Sequence, residues 1–266
     1  MKYLMSRSEI EKNGCDGATQ KDLAKILNCF YLYTDKEEQS VGQWLAKHGY
    51  WESWITSWMT KNIKEGDICL DVGANYGYYT RVMEFLSGKN GLVYYIEANP
   101  ELVELINKSI NDYPLNKAKV IGHSFAASDN NGKINLSISS KYIGGSTIVF
   151  DQPLPSHIES SLWDREIEVD CKTIDSLNID KINVIKMDIE GAEYLAWKGM
   201  QKTLENTDII VLEIGSYCPV EFIDDIYSKY EVNQINFDGD ESPITKEEIY
   251  SLNDLVMAVL RKKIDK

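Results

Sequence analysis

Cysteines are few and scattered in this sequence, which excludes two kinds of framework. The chain has five of them, and none forms a C-x-x-C pair: Cys15, Cys29, Cys69, Cys171 and Cys218. A fold held by disulfides or by structural zinc would need paired or regularly spaced cysteines. We therefore expect reduced thiols and a cytoplasmic protein.

A long hydrophobic run is also missing. No apolar stretch reaches the roughly 18 residues that can cross a bilayer, and the opening MKYLMSRSEIEK lacks the apolar core of a signal peptide. The sequence predicts no membrane span and no secretory leader.

Positive charge is in short supply. Lys and Arg number 28 against 42 Asp and Glu, so the net charge is -14, and no dense basic stripe occurs. Because nucleic acid repels such a surface, we expect no nucleic-acid partner. The 266 residues, 43% of them hydrophobic, fit one α/β domain with an N-terminal addition, or two small domains. Nothing in the sequence predicts the oligomeric state.

Residues 1–60 are predicted to be a mainly helical N-terminal segment with room for short extended pieces, and residues 61–266 to be the main domain. The stretches QKDLAKILNCFYLY and SVGQWLAKHGYWESWITSWMTKNI both space their apolar residues as helices do. Four tryptophans stand in the second stretch: Trp44, Trp51, Trp54 and Trp58. This segment is interpreted as packing against the main domain or, alternatively, as a lid over a ligand.

From residue 66 onward, predicted strands and helices alternate. Asn99 and Pro100 form a good helix start, because asparagine caps the first turn and proline suits the first helical position. A β excursion over DNNGKINLSISS interrupts the alternation, and YEVNQINFD and LVMAVLRK close the chain as an antiparallel hairpin. The pattern predicts an open, mostly parallel α/β sheet, which binds ligands at the carboxyl ends of its strands.

The stretch ICLDVGANYGYYT has the strand, tight turn and helix of a nucleotide-binding loop. Gly73, Asn75 and Gly77 do not fit the G-x-G-x-x-G spacing of dinucleotide sites. Asn75 can replace a glycine because asparagine adopts positive φ more readily than most residues. The spacing suits the loop that binds S-adenosylmethionine (SAM), with Asp71 at the strand end holding the methionine ammonium. A glycine turn without a ligand is the alternative.

Two further segments place acids at strand ends. Glu97 ends the next strand, where a carboxylate binds ribose hydroxyls in SAM and NAD sites alike. In VIKMDIEGAE, Lys186 and Asp188 alternate along a strand and therefore share a face. Since burying charges for packing alone is costly, we interpret this segment as a functional site.

Together, these motifs resemble the FkbM family of SAM-dependent methyltransferases. The resemblance runs from about Gly49 to the C-terminus and lies in LDVGANYGYYT, IEANPELVELINKSI, AASDNNG, TIDSL, VIKMDIEGAEYLAWKGM and VLEI. In IEANP the family more often has Glu-Pro-Asn, a departure that leaves Glu97 in place. The resemblance implies a Rossmann-like class I methyltransferase fold, with a mostly parallel seven-stranded sheet, and O-methylation of a hydroxyl on a sugar, glycan or natural product.

The resemblance also implies the site residues. SAM would contact the strand-end acid, the glycine loop, the ribose acid and a segment near adenine: Asp71, Gly73, Ala74, Asn75, Gly77, Glu97, Ala98, Ala126, Ser128 and Asp129. The residues facing the reaction site would be Asp188, Glu190 and Glu193, with Lys186 beside them.

Two mechanisms remain open for removing the proton of the acceptor hydroxyl. In the first, Asp188 or Glu190 orients the hydroxyl or takes its proton while Lys186 tunes the charge, with His123 as an alternative base. In the second, Asp188, Glu190 and Glu213 bind Mg²⁺, an arrangement that resembles catechol O-methyltransferase and suits hard oxygen ligands.

The loop IGGSTIVF, with Ser146, is predicted to cover the acceptor together with Trp51 of the N-terminal segment. An ordinary hairpin loop is the alternative. Two other functions compete: an NAD-dependent oxidoreductase, which the glycine spacing and the lack of a Tyr-x-x-x-Lys pair disfavour, and a non-catalytic SAM-binding protein, which would have no need of the dense carboxylates.

Overall fold

The computed structural model describes residues 5–13, 23–35, 38–148, 163–252 and 255–263. Its α-helices within these ranges are α1 (Arg7–Asn13), α2 (Val41–His48), α3 (Ser53–Asn62), α4 (Tyr78–Ser87), α5 (Pro100–Asp112), α6 (Glu193–Lys198), α7 (Gln201–Glu205), α8 (Val220–Lys229) and α9 (Lys246–Ser251). None of the helices in the described ranges combines the length and apolarity that a membrane crossing would require.

The strands of the described residues form three sheets. Their bounds are β1 (Leu23–Ile26), β2 (Phe30–Tyr33), β3 (Ile68–Val72), β4 (Leu92–Glu97), β5 (Lys119–Ser124), β6 (Ala126–Ala127), β7 (Gly132–Ile138), β8 (Thr147–Ile148), β9 (Arg165–Lys172), β10 (Ile182–Met187), β11 (Thr207–Ile214), β12 (Tyr230–Ile235), β13 (Glu241–Pro243) and β14 (Val256–Lys262).

The main sheet has the strand order β13-β12-β14-β11-β10-β3-β4-β5. From β11 to β5 all neighbours are parallel, and β14 runs antiparallel between β11 and β12. The predicted α/β architecture and the antiparallel C-terminal pair are confirmed. The described sheet has eight strands, one more than predicted, because the short β13 adds an edge strand beside β12. The C-terminal pair is also not a tight hairpin, since β13 and α9 lie between its strands in the chain.

A second, four-stranded sheet accommodates the β excursion, with the order β6-β9-β7-β8. The predicted strand REIEVDCKTI becomes β9, which pairs antiparallel with β7 from Arg165–Ile138 to Cys171–Gly132. This sheet follows β5 directly, so it lies beside the carboxyl ends of the main-sheet strands.

The N-terminal segment contains a hairpin that its apolar spacing did not predict. The helix expected over QKDLAKILNCFYLY is wrong for the described part, because β1 and β2 pair antiparallel there. Leu27 and Asn28 both have positive φ, as the central residues of a tight hairpin turn require. The second predicted helical stretch is confirmed, but Gly49, at φ +71, ends α2 and separates it from α3.

The N-terminal segment shares its core with the main sheet. One buried cluster joins Phe30, Leu45 and Trp58 to Val93 and Val184 of β4 and β10. A separate cluster, which includes Trp197 and Phe222, covers the opposite face of the sheet. The boundary near residue 60 stays a prediction, and the shared cluster shows that the segment before it packs as part of the same body.

Candidate active site

The sheet brings the predicted acids together through strand register. Asp71 on β3 lies opposite Lys186 on β10, and Lys186 lies opposite Val211 on β11. Side chains alternate along each strand, so Asp188 and Glu213, each two residues further on, continue the same face at the carboxyl edge. The predicted sharing of a face by Lys186 and Asp188 is confirmed by an ion pair of 3.1 Å between their Nζ and Oδ2 atoms.

The glycine loop has the backbone geometry that its sequence predicted. Gly73, Asn75 and Gly77 all have positive φ, at +81, +52 and +83 degrees. A Cβ on Gly73 would come within 1.9 Å of the carbonyl oxygen of Asp188, so this glycine is required by the neighbouring loop. The reason for the first glycine is therefore contact between two protein loops, whereas the sequence suggested close approach to a ligand.

Glu97 holds the loop in this shape. Its two carboxylate oxygens accept hydrogen bonds from the backbone amides of Asn75 and Asn99, both at 2.8 Å. Burial raises the pKa of Glu97 to about 7, and these backbone donors oppose that rise. Asn99 caps α5 by accepting from the Glu101 amide at 3.0 Å, as predicted. The Glu97 carboxylate thus keeps lone pairs that are available to a further donor.

Asp71 is placed behind the loop. Its side chain is fully buried, accepts a hydrogen bond from the Thr80 hydroxyl at 2.6 Å, and carries a pKa raised to about 6 by burial against the lowering effect of Lys186. Its Oδ1 atom has no hydrogen-bond partner among the described residues. Asp71 therefore lies behind the loop and supports it from the buried side.

One cavity unites most of the predicted residues. Its wall includes Gly73, Ala74, Asn75, Glu97, Ala98, Ala126, Ser146, Trp51, Lys186, Asp188 and Glu190. Apolar side chains fill the space between them: Ile96, Leu102, Phe125, Leu136 and Ile148. An apolar cavity with a few convergent polar groups is typical of a small-molecule site.

The cavity wall fits a ligand with hydroxyl and amine donors. Asn75 lines it, and its buried Oδ1 atom has no partner among the described residues. Since a buried unpaired acceptor is costly, this atom indicates a donor that the bound state supplies. The small residues of the loop suit the polar end of SAM, and the apolar stretch by Ala98 and Phe125 suits adenine.

Several predicted residues lie outside the wall formed by the described residues. Gly77 packs against Ile106, whose side chain would lie 3.1 Å from a Cβ added to the glycine. Ser128 is buried, and its neighbour Asp129 pairs with Lys198 at 3.1 Å.

The alternative base His123 also lies off the cavity wall. It is half-buried beside the rings of Tyr94 and Phe125, at 6.2 and 6.1 Å between ring centroids. Burial, together with Lys172, lowers its pKa. This position leaves His123 without direct access to an acceptor in the cavity.

The acidic segment 188–193 is built around a left-handed turn. Glu190 has φ +55 and Gly191 φ +94, and the carbonyl oxygen of Glu190 accepts from the Thr147 hydroxyl at 2.7 Å. Burial, with Asp188 and Glu193 nearby, raises the pKa of Glu190 to about 8. A non-glycine residue held at positive φ is typical of strained functional sites.

Glu193 and Glu213 extend this cluster. The buried Glu193 accepts from the Ile189 amide at 2.8 Å, and burial raises its pKa to about 7. Burial, with Asp188 next, raises the pKa of Glu213 to about 10. Carboxylate oxygens of Asp188, Glu193 and Glu213 lie within 4.8 Å of one another. Among the described residues, the three carboxylates that lie close together thus include Glu193, whereas the predicted metal site included Glu190 in its place.

Sequence reasoning missed Glu52 and Tyr79. The Tyr79 hydroxyl donates to the Glu52 carboxylate at 2.7 Å, and the Lys186 Nζ lies 4.8 Å from the centre of the Tyr79 ring. Both residues lie in stretches that resemble the family, GYWESWITSWMTKNIKEGD and LDVGANYGYYT, but neither of them was assigned a site role from the sequence.

Comparisons with known proteins show the family of this chain. Residues 71–237 match the methyltransferase FkbM domain. The hexuronic acid methyltransferase AglP of Haloferax volcanii is 24% identical over 186 residues, which cover 68% of this chain and 72% of that protein. A protein-L-isoaspartate O-methyltransferase of Fervidobacterium nodosum is 41% identical over 59 residues, 22% of this chain, and the match spans 30% of that enzyme's length.

A solved structure of methyltransferase FkbM from Methylobacillus flagellatus is 16% identical, with a TM-score of 0.42, and covers 73% of this chain and 43% of that one. The domain match takes in the glycine loop, Glu97 and the acidic segment, which are the three elements that meet at the cavity. The chain therefore belongs to the FkbM methyltransferase family and is a SAM-dependent methyltransferase of the Rossmann-like class.

Proposed function

We propose that this protein transfers the methyl group of SAM to a hydroxyl of a sugar, glycan or natural-product acceptor. The observation that carries the proposal is the shared cavity, in which the glycine loop and Glu97 lie on the same wall as Asp188 and Glu190. A cofactor held by the glycine loop and Glu97 would direct its reactive end toward Asp188 and Glu190, whose carboxylates can accept a proton.

The proposed cofactor contacts are based on the residues that line the cavity. The backbone of Gly73, Ala74 and Asn75 would hold the methionine end, and Glu97 would accept from the ribose hydroxyls. Ala98 and Ala126 would border adenine, with Ser128 and Asp129 behind them and Asp71 and Gly77 supporting the loop. When bound, SAM supplies an electrophilic methyl group on a sulfonium.

The acidic segment would act on the acceptor. Asp188 accepts one contact from Lys186 through Oδ2, which leaves its second oxygen for the acceptor hydroxyl. In the transfer, the acceptor oxygen forms a bond to the methyl carbon, the carbon–sulfur bond breaks toward sulfur, and the hydroxyl proton passes to Asp188 or Glu190. In-line alignment and proton removal together lower the barrier.

The acceptor class has two supports. AglP is a hexuronic acid methyltransferase, so a family relative acts on a sugar. Ser146 and Trp51 line the cavity and would border an acceptor there, with Glu193 in the neighbouring carboxylate cluster. The net charge of -14 disfavours nucleic acid as the acceptor.

The test is calorimetric titration of the full chain with SAM, S-adenosylhomocysteine and NAD, followed by incubation with labelled SAM and a panel of sugars, polyols and RNA. We expect SAM and S-adenosylhomocysteine to bind and label to enter a hydroxyl compound. NAD binding without SAM binding would overturn the proposal, and label entering RNA alone would replace the acceptor class.

A metal-assisted version of the same reaction is the second candidate. The close approach of Asp188, Glu193 and Glu213 favours it, since three carboxylates at this separation suit Mg²⁺ once they are deprotonated. Glu190, at the cavity wall, would then be free to act as the base. If EDTA leaves methyl transfer unchanged and added Mg²⁺ does not raise it, the metal-free route through Asp188 stands.

A further inference from the structure

Glu52 holds an unusual position between α2 and α3. Its φ of +35 degrees lies in the left-handed region, which side-chain-bearing residues seldom occupy. It stands at the N-cap position of α3, where a carboxylate would normally accept from a backbone amide of the first turn. Its side chain makes no such cap hydrogen bond. The strained backbone therefore directs this carboxylate somewhere other than its own helix.

The Glu52 carboxylate is directed toward the active-site lysine. It accepts from the Tyr79 hydroxyl at 2.7 Å, while the face of the same tyrosine ring lies 4.8 Å from the Lys186 Nζ. Burial raises the pKa of Glu52 to about 7, and the next largest influences on it come from Asp188 and Lys186. Tyr79 thus joins a residue of the N-terminal segment to the catalytic strand β10.

Lys186 is shared among several acids. Its Nζ pairs with Asp188 Oδ2 at 3.1 Å, and its side chain is 3% exposed. Asp188, Asp71 and Glu52, in that order, raise the pKa of Lys186 against the effect of burial. A buried ammonium surrounded by carboxylates neutralises each of them only in part.

We propose that Glu52 is a positioning residue for methyl transfer, which acts through Tyr79 and Lys186 on Asp188. Because the Lys186 ammonium interacts with Glu52 as well as with Asp188, Lys186 and Asp188 do not form a tight, exclusive ion pair. Asp188 then keeps one oxygen for the acceptor hydroxyl. The inference rests on the proposed role of Asp188 and assigns a function to the N-terminal segment beyond packing.

The test uses the charge difference between two cofactor forms and needs no acceptor. SAM carries a sulfonium charge that S-adenosylhomocysteine lacks, so the ratio of their affinities reports the local negative potential. In the full-length chain at about pH 8.5, where a carboxyl group with a pKa of about 7 is ionised, Glu52→Gln keeps the shape and removes the charge. We expect calorimetry to show that the preference for SAM over S-adenosylhomocysteine falls about fivefold. Tyr79→Phe should shift the ratio in the same direction by less.

A matched control removes a carboxylate that contacts the same helix. Glu241 accepts from the Trp58 indole of α3 at 2.9 Å and from Arg261, away from the cavity. Glu241→Gln should lower stability and leave the affinity ratio unchanged. If Glu52→Gln also leaves the ratio unchanged, Glu52 is a structural residue and the inference fails.

A double-mutant cycle tests the route through Asp188. If Glu52 acts on Asp188, the effects of Glu52→Gln and Asp188→Asn on the ratio should not add, whereas additive effects would contradict the proposed path. Failure of the unmodified chain to bind SAM would instead overturn the proposed function. The two failures are therefore distinguishable.

Discussion

The glycine loop, residues 71–77, and the acidic segment, residues 188–193, follow neighbouring parallel strands and both use left-handed backbone. The first presents small side chains, and its shape is held by Glu97 of β4, whose carboxylate accepts from two backbone amides. The second presents carboxylates, and burial, with the charge of neighbouring acids after it, raises the pKa values of Glu190 and Glu193. In the proposed function, one loop would provide shape for a cofactor, and the other would provide charge for chemistry.

The two loops are also interlocked. The Asp188 amide donates to the Val72 carbonyl at 3.1 Å, and the Asp188 carbonyl occupies the space where Gly73 lacks a Cβ. The division between shape and charge therefore depends on a direct contact, and variants can separate its parts.

The largest expected effect is that of Gly73→Ala, which should damage both loops. Its methyl group would lie 1.9 Å from the Asp188 carbonyl oxygen, and its φ of +81 is strained for alanine. We expect destabilisation of about 3 kcal/mol or more, with loss of SAM binding, measured by thermal unfolding and calorimetry. Gly145→Ala is the control, since a Cβ there meets nothing within 4 Å. Equal behaviour of the two variants would show that the loops are not interlocked.

Asp188→Asn should separate chemistry from cofactor binding. It keeps the size of the side chain and removes the proton acceptor, so we expect transfer to slow by about 100-fold or more while SAM affinity changes only a few-fold. Radiolabel transfer to an acceptor found by the panel would measure the first, and calorimetry the second. The exposed Asp208→Asn is the control. Full activity of Asp188→Asn would move the proton-accepting role to Glu190.

Glu97→Gln should affect the glycine loop and leave the acidic segment unchanged. The charged acceptor for the ribose is lost and the Asn75 amide keeps a weaker partner, so SAM affinity should fall about tenfold. The rate at saturating SAM should stay near that of the unmodified protein. A change in that rate without a change in affinity would contradict a ribose-binding role.

The smallest expected effect is on the pH dependence of stability. Because burial raises the pKa of Glu190 to about 8 and that of Glu193 to about 7, the folded protein binds more protons than the unfolded chain above about pH 4.5. Their contribution to stability is complete below that pH and is lost as pH rises through 7 to 8. Without SAM, the melting temperature should therefore fall as the pH rises from about 5.5 to about 8.5. Glu190→Gln should reduce this fall, and an unchanged slope would count against the raised pKa.

Much of the site around the glycine loop and Glu97 was predictable because it depends on local chemistry. Asn75 at positive φ, the Asn99 cap and the acid at the end of β4 all follow from residue type and strand or helix position. The hairpin of β1 and β2 was not predictable, since its apolar spacing also fits a helix and the choice is made by packing against the main sheet.

The sequence by itself determined the alternation of strands and helices, the glycine loop and the presence of an acidic segment at a strand end. Only the tertiary structure decided that Gly73 makes room for Asp188, that Glu193 joins Asp188 and Glu213, and that Glu52 reaches Lys186 through Tyr79. Propensity and periodicity act over a few residues, whereas most of these contacts join segments that are distant in the chain through strand register and shared burial.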